Sequence, residues 1–215
     1  MRPRHILSAS LITFAIAGCI PSDNGEETPE TDAGGQEGDA STEPDASTEP
    51  DVGTTPPLTM FLSSGTYETS LGLASLDAAC GQEAKATAGT SYKVLVASPA
   101  RLPANPTCET PQEASDWVLA PNTTYQREDG EVLFTTGASS IFTDWPMENL
   151  FSNSGANFAT GMDRDWCLIP DQHCSGWTSS EGRAAVGWTA SGDGGFLEGG
   201  DLGCGGRVFV CVEQP

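Results

Sequence analysis

Cys204-Gly-Gly-Arg-Val-Phe-Val-Cys211-Val-Glu213, at the end of the chain, decides how the folded part closes. Residues 208–212 form a short apolar run rich in β-branched and aromatic residues, which predicts a buried strand. One cysteine lies inside this strand and another just before it, so two disulfides can tie the strand to earlier parts of the chain. The domain therefore cannot close until its C-terminus is present.

The composition of the 215-residue chain indicates an acidic protein with many loops. Its formal charge is −21, it contains 25 glycines, and 37% of its residues are hydrophobic. Such a charge opposes binding to nucleic acid or to an anionic membrane surface, because both attract Lys and Arg. Seven cysteines and only two histidines favour disulfides over a metal cluster.

Residues 1–18 have the features of an export signal. Basic residues at the start are followed by an apolar segment at 6–17, which is too short to cross a hydrocarbon core of ~30 Å. The segment ends in Ile16-Ala-Gly-Cys19, which resembles the lipobox of bacterial lipoproteins. The alternative is an ordinary signal peptide with a chance cysteine.

The lipobox resemblance implies that Cys19 becomes an acylated, palmitate-bearing N-terminus that anchors the protein to a membrane. Because Ile20 and not Asp follows this cysteine, the resemblance to sorted lipoproteins further implies the outer membrane or cell surface of a Gram-negative bacterium. We expect the lipid anchor to be the protein's only attachment to the membrane.

Residues 19–57 comprise the lipidated cysteine and a disordered acidic tether. From residue 20 onward the segment has eleven acidic residues, no Lys or Arg, and a tandem Ala-Ser-Thr-Glu-Pro-Asp repeat at 40–51. Such a composition cannot bury enough apolar surface to offset the entropy of ordering, and its like charges favour an extended chain. Cation binding by the repeat is the alternative, but its carboxylates lack a fixed geometry. We interpret the segment as a spacer.

Residues 58–215 are predicted to form one folded domain. Seven basic and nineteen acidic residues give it a formal charge of −12. We expect a helix over 75–86, with Ser75 as its N-cap and Asp77 in its first turn. Related Gly-Trp-Thr segments flank a turn at 181–183, so Trp177 and Trp188 are predicted to be cross-strand neighbours. Strands are predicted over residues 58–63, 92–97, 117–119, 131–135 and 208–212.

Several motifs together resemble a poorly characterised domain of bacterial surface lipoproteins that is related to C-type lectins and endostatin. These motifs are Phe61-Leu-Ser-Ser-Gly-Thr-Tyr67, Leu73-Ala-Ser-Leu-Asp77-Ala-Ala-Cys80, Asp129-Gly130, Asp144-Trp145, Cys174-Ser-Gly-Trp177-Thr-Ser-Ser and residues 204–213. The resemblance covers nearly all of 58–215. It implies an α+β, C-type-lectin-like fold with mixed short strands, one main N-terminal helix, a long-loop lobe and stabilising disulfides.

Six cysteines follow Cys19, and spacing alone leaves fifteen pairings open. The resemblance implies the pairs Cys80–Cys211 and Cys174–Cys204, which leave Cys108 and Cys167 for each other. A zinc site at Cys167, His173 and Cys174 is the alternative. The exported, oxidising location and the absence of a second mature histidine argue against it.

A calcium site is a weak alternative in the loop lobe. Lectin relatives can hold Ca²⁺ through a Trp-Asn-Asp triplet, but Gly199-Gly200-Asp201 stands at that place here. Asp193, Glu198 and Asp201 offer oxygen atoms on a Gly-rich loop, whereas Ca²⁺ needs six to eight. We therefore expect no required cofactor.

Catalysis finds little support in the sequence, since no catalytic constellation is recognisable and His173 is the only histidine after the signal. The sequence favours a lipoprotein that presents a binding or adhesion domain. Envelope enzymes such as glycan-directed hydrolases, and envelope-docking modules, are the alternatives. We expect a monomer that binds an extracellular protein or a glycan, and no nucleic acid. The candidate ligand face comprises Trp166, Trp177 and Trp188, in an acidic region that favours a basic or neutral partner.

Overall fold

The computed structural model describes residues 55–215; the predicted signal segment, Cys19 and nearly all of the predicted tether lie outside the described residues. In chain order the elements are β1 (Leu58–Leu62), β2 (Tyr67–Glu68), a 3-10 turn (Thr69–Leu71), α1 (Leu73–Gln82), β3 (Tyr92–Val94), β4 (Thr124–Gln126), β5 (Val132–Thr135), β6 (Asn157–Ala159), α2 (Cys174–Trp177), β7 (Arg183–Trp188), a second 3-10 turn (Gly194–Phe196), β8 (Gly200–Gly203), β9 (Gly206–Arg207) and β10 (Val210–Glu213). The fold is therefore α+β, with more strand than helix. No helix in this part of the chain is long and apolar enough to span a bilayer.

The central sheet has five strands in the order β3-β10-β1-β4-β5. The terminal strand β10 runs antiparallel to both β3 and β1, while β1 and β4 are parallel. The predicted C-terminal strand is thus confirmed over residues 210–212, and it lies inside the sheet; residues 208 and 209 precede it. Residues from the two ends of the domain meet in the register Met60–Val212 and Leu62–Val210.

Both faces of this sheet are buried, which explains the continuous apolar run near the C-terminus. Along β1 and β10 alternate side chains enter two different core clusters. Met60 and Val212 belong to the larger cluster, which also contains aromatic residues from the second half of the domain: Phe151, Phe158, Trp166 and Phe196. Phe61 and Cys211 belong to the smaller cluster, which packs against α1. Two smaller sheets, β2-β9 and β6-β7-β8, complete the described sheets.

The predicted helix is present but begins and ends earlier than expected. Gly72, with φ of 79°, is its N-cap, and Ser75 lies within the first turns, so the predicted Ser75 cap is wrong. Asp77 does not serve the helix N-terminus; its Oδ1 accepts a hydrogen bond from Val94 N (2.9 Å). The helix stops at Gln82 because Glu83 is extended, with its carboxylate bound by Tyr67 Oη (2.6 Å).

Two predicted strands are corrected by the structure. Only Tyr92–Val94 pairs as a strand, because the chain then turns away and Ala97 N donates to Thr160 O (2.7 Å). Residues 117–119 form no strand, although Val118 and Leu119 are buried. An apolar run predicts burial there, but within residues 55–215 no neighbouring backbone pairs with it.

Three disulfides brace the domain, and their pairs coincide with those implied by the family resemblance. Cys80–Cys211 joins α1 to β10, with a Cα–Cα distance of 5.5 Å. Cys174–Cys204 joins α2 to the loop after β8, and Cys108–Cys167 joins two long loops. The two residues that would have supplied thiolates to the alternative zinc site are therefore both consumed in disulfides.

Candidate functional site

The largest cavity described is an open groove of about 1180 Å³ between two long loops. One wall is an arm of residues 99–115, and the other is an arm of residues 163–172, joined by Glu198. The first arm is a ribbon held by the bridges Leu102–Ser115 and Asn105–Gln112. Sequence periodicity offered no prediction here, because this ribbon pairs only at isolated positions.

Covalent and polar links fix the distance between the two arms. The disulfide Cys108–Cys167 crosses from one to the other. The side chain of Gln112 accepts from Leu168 N at 2.7 Å and donates to Trp166 O at 3.3 Å. Asn105 Nδ2 donates to Asp165 O at 2.7 Å. A groove with walls held in this way loses little conformational entropy on binding.

A buried arginine anchors the first arm to the helix. Arg101 is 1% exposed and makes a bidentate pair with Asp77 of α1 through Nη1 (2.9 Å) and Nη2 (2.6 Å). It also binds Asp116 at 2.6 Å. Partial burial opposes ionisation of Asp116, but hydrogen bonds from Lys93 and Arg101 outweigh it and hold the pKa of this carboxyl below its usual value. The base of the arm is therefore rigid.

The groove combines apolar walls with an acidic rim. Half-buried Leu102, Leu168 and Ile169 line it together with several prolines. Its carboxylates are Glu109, Glu113, Asp163, Asp165 and Glu198, and within residues 55–215 no Lys or Arg lines it. The arrangement disfavours an anionic ligand.

The five carboxylates differ in how the protein uses them. Asp163 shapes its own loop, since its Oδ1 accepts from Asp165 N (2.9 Å) and Cys167 N (2.8 Å). Glu198 accepts from Arg164 N at 3.4 Å. Among the described residues, none of the five forms a salt bridge. The rim charges at Glu109, Glu113 and Asp165 are exposed and available to a ligand.

A smaller pocket of about 360 Å³ adjoins the groove and shares Thr107 and Asp165 with it. Phe142 and Trp145 line this pocket, with their ring centroids 5.0 Å apart in a T-shaped arrangement. Arg164 also lines it. Its aromatic lining favours an apolar ligand group over a charged one.

Two of the three tryptophans predicted for the ligand face are core residues, so that prediction is wrong for them. Trp166 donates from Nε1 to Phe142 O, and Trp177 donates from Nε1 to Ala97 O at 2.9 Å. Both are fully buried. Only Trp188 is exposed, at 50%, and its indole lies against Gly199, next to the groove residue Glu198.

Trp177 and Trp188 are also not cross-strand neighbours. Trp188 ends β7 and pairs with Asn157 of β6. Trp177 belongs to α2, where all four residues from Cys174 have positive φ, so this turn is left-handed. Such a turn costs about 1–2 kcal/mol for each non-glycine residue. Burial of the Trp177 ring against Phe209 and the disulfide at Cys174 offset this cost.

The structure assigns the three calcium candidates to other interactions. Asp201 forms an ion pair with Arg183. Hydrogen bonds from Ser191 and then from Gly195 N lower the pKa of Asp193. Glu198 faces the groove. In residues 55–215 no group of three or more His, Cys, Asp or Glu side chains is placed to hold a metal ion.

His173 has a structural task in the described domain. Its Nδ1 accepts a hydrogen bond from Gly176 N at 2.8 Å, which supports the left-handed turn. The groove residues Gln112, Glu109 and Glu113 were not singled out from the sequence. The signal that points to them is a cysteine, Cys108, within a polar, Pro-rich segment, which marks a braced loop.

The fold and the groove define a disulfide-braced α+β domain with a long-loop cleft. The chain belongs to the family described as protein of unknown function DUF1554, whose model matches residues 63–193. That match covers more than half of the chain and includes both arms of the groove. It leaves out β1 and β10, although the structure places both in the central sheet. No curated protein matches the sequence.

Proposed function

We propose that this protein is an outer-membrane or surface lipoprotein that presents a C-type-lectin-like binding domain on an acidic tether. The braced groove between residues 99–115 and 163–172 is the observation that carries the binding function. Its walls are fixed by a disulfide and by side-chain amides, and its rim charges are unpaired within the described domain. Largely preformed clefts with polar groups at fixed positions are the usual form of binding sites.

A glycan-directed hydrolase is the second candidate, because a cleft bearing several carboxylates is also what such an enzyme requires. Its general acid needs an apolar environment that keeps a carboxyl protonated. Four of the five groove carboxylates are exposed, and the fifth, Asp163, uses its Oδ1 to accept two backbone hydrogen bonds that shape its own loop. The groove therefore supports binding better than hydrolysis.

A binding screen that also detects turnover distinguishes these functions. The purified full-length chain is presented to a panel of extracellular matrix proteins and to a glycan array, and the supernatant is searched for cleaved glycans by mass spectrometry. Saturable binding without released product supports the binding domain. Released oligosaccharide would establish the hydrolase instead. Selective capture of an envelope protein, and of no extracellular ligand, would indicate the docking module.

The anchor is tested by Cys19→Ser. Because an acylated cysteine would hold the protein to the bilayer, the variant is expected to leave the membrane fraction and to lose incorporation of labelled palmitate. The parent should co-fractionate with outer-membrane markers. Unchanged membrane partition with label still incorporated would contradict the lipoprotein assignment, and parent protein in the inner membrane would contradict the sorting.

A further inference from the structure

We propose that the groove binds an extended peptide segment in which Lys or Arg residues adjoin apolar ones; this rests on the proposed binding function. The proposal concerns the cleft between residues 99–115 and 163–172.

Charge selects the basic character of the segment. Five carboxylates line the groove, and within the described domain no Lys or Arg lines it. Four of them are exposed and lack salt-bridge partners among residues 55–215: Glu109, Glu113, Asp165 and Glu198. Of these, Glu198 also accepts a hydrogen bond from Arg164 N. Rim charges of one sign raise the association rate of an oppositely charged ligand and reject a ligand of the same sign.

The lining explains why the segment also needs apolar residues. Leu102, Leu168 and Ile169 are only half-buried and face the groove together with Pro111 and Pro170. Removing this apolar surface from water would favour binding. A purely basic ligand would leave it exposed.

The size of the groove favours a chain segment over a small molecule. Its volume of about 1180 Å³ exceeds the ~300–1,000 Å³ of pockets for drug-sized ligands. No aromatic side chain of the described residues lines it, so it offers no flat face for a sugar ring. The adjoining pocket beside Trp145 can take one apolar side chain of the same segment.

The test uses two fluorescein-labelled octapeptides. In the basic probe, alternating arginine and lysine are separated by valines; in the control probe, glutamate replaces every basic residue. Fluorescence anisotropy measures binding to the full-length chain and to the triple variant Glu109→Gln, Glu113→Gln, Asp165→Asn. A matched variant, Glu131→Gln, Glu148→Gln, Glu181→Gln, removes the same charge from exposed positions outside the groove.

The parent and the matched variant are expected to bind the basic probe, and the groove variant to bind it at least tenfold more weakly. Affinity for the basic probe should fall as salt is raised, because exposed charges are screened. Equal affinity of the two variants would overturn the proposal. If neither probe binds, but the parent and groove variant both bind a neutral ligand from the screen, the peptide assignment is wrong and the binding function stands. If nothing binds at all, both are wrong.

Discussion

Replacing Arg101 by methionine is expected to lower the free energy of unfolding by about 3–5 kcal/mol, because one partner of a buried ion pair is removed. The guanidinium is 1% exposed and satisfies both oxygens of Asp77, one oxygen of Asp116 and the carbonyl of Val94. Without it the carboxylate of Asp77, a residue of α1, is left with an uncompensated charge. Chemical denaturation at neutral pH measures the loss.

Arg183→Met is the matched control. Arg183 also pairs with an aspartate, Asp201, but its side chain is 61% exposed, so the loss should stay below about 1 kcal/mol. The pKa of Asp116 is lowered in the folded protein. The ionised carboxylate therefore stabilises the fold fully above the unfolded pKa of about 3.9, and this contribution is lost as the pH falls below that value. The difference in the free energy of unfolding between the parent and Arg101→Met should therefore become smaller in acid. Equal losses for the two arginine variants would contradict this account.

Removal of the Cys80–Cys211 disulfide by a double alanine substitution is expected to cost about 2–5 kcal/mol. This bridge spans 131 residues and joins α1 to β10, an interior strand of the central sheet. In the chain-entropy model the stabilisation grows with the length of the closed loop. It should therefore exceed that of Cys174–Cys204, which spans 30 residues, by about 1 kcal/mol.

Denaturant unfolding of the oxidised chain compares the two double variants. Cys80, Cys174 and Cys211 are buried and Cys204 is partly buried, so the size of the closed loop is the main difference between the two bridges. A larger loss of stability on removing Cys174–Cys204 would contradict this expectation. It would show that the left-handed turn at Cys174 depends on its disulfide more than the terminal strand depends on Cys80–Cys211.

The sequence predicted the elements whose stability is local or whose pattern has a clear period. The run at 208–212 predicted the terminal strand, and the run at 131–135 predicted β5; its partner β4 was not predicted. Prediction from the sequence failed where tertiary contacts determine the local structure. Residues 117–119 have the composition of a strand but pair with no backbone in the described domain. Ser75 is a good capping residue by type, yet Gly72 ends the preceding turn and starts the helix earlier.

The candidate site was harder to predict, because its walls have no regular pattern. Tryptophan content drew attention to the loop lobe, but size alone does not distinguish a core ring from a ligand anchor. Trp166 and Trp177 satisfy their Nε1 groups on backbone carbonyls inside the core. The groove instead depends on Gln112 and Asn105, whose amides bridge two arms about 55–60 residues apart in sequence. Such long-range pairing leaves no local signal.

Binding of the basic octapeptide to Ala114→Trp tests whether the groove between residues 99–115 and 163–172 is the ligand site. Ala114 is exposed and lines the groove, so an indole there should fill the cleft. Ala88→Trp, at an exposed turn outside the groove, is the control. We predict that Ala114→Trp weakens binding at least tenfold while Ala88→Trp binds like the parent and both keep the parent's melting temperature. Unchanged affinity in Ala114→Trp would contradict the assignment of the groove as the ligand site.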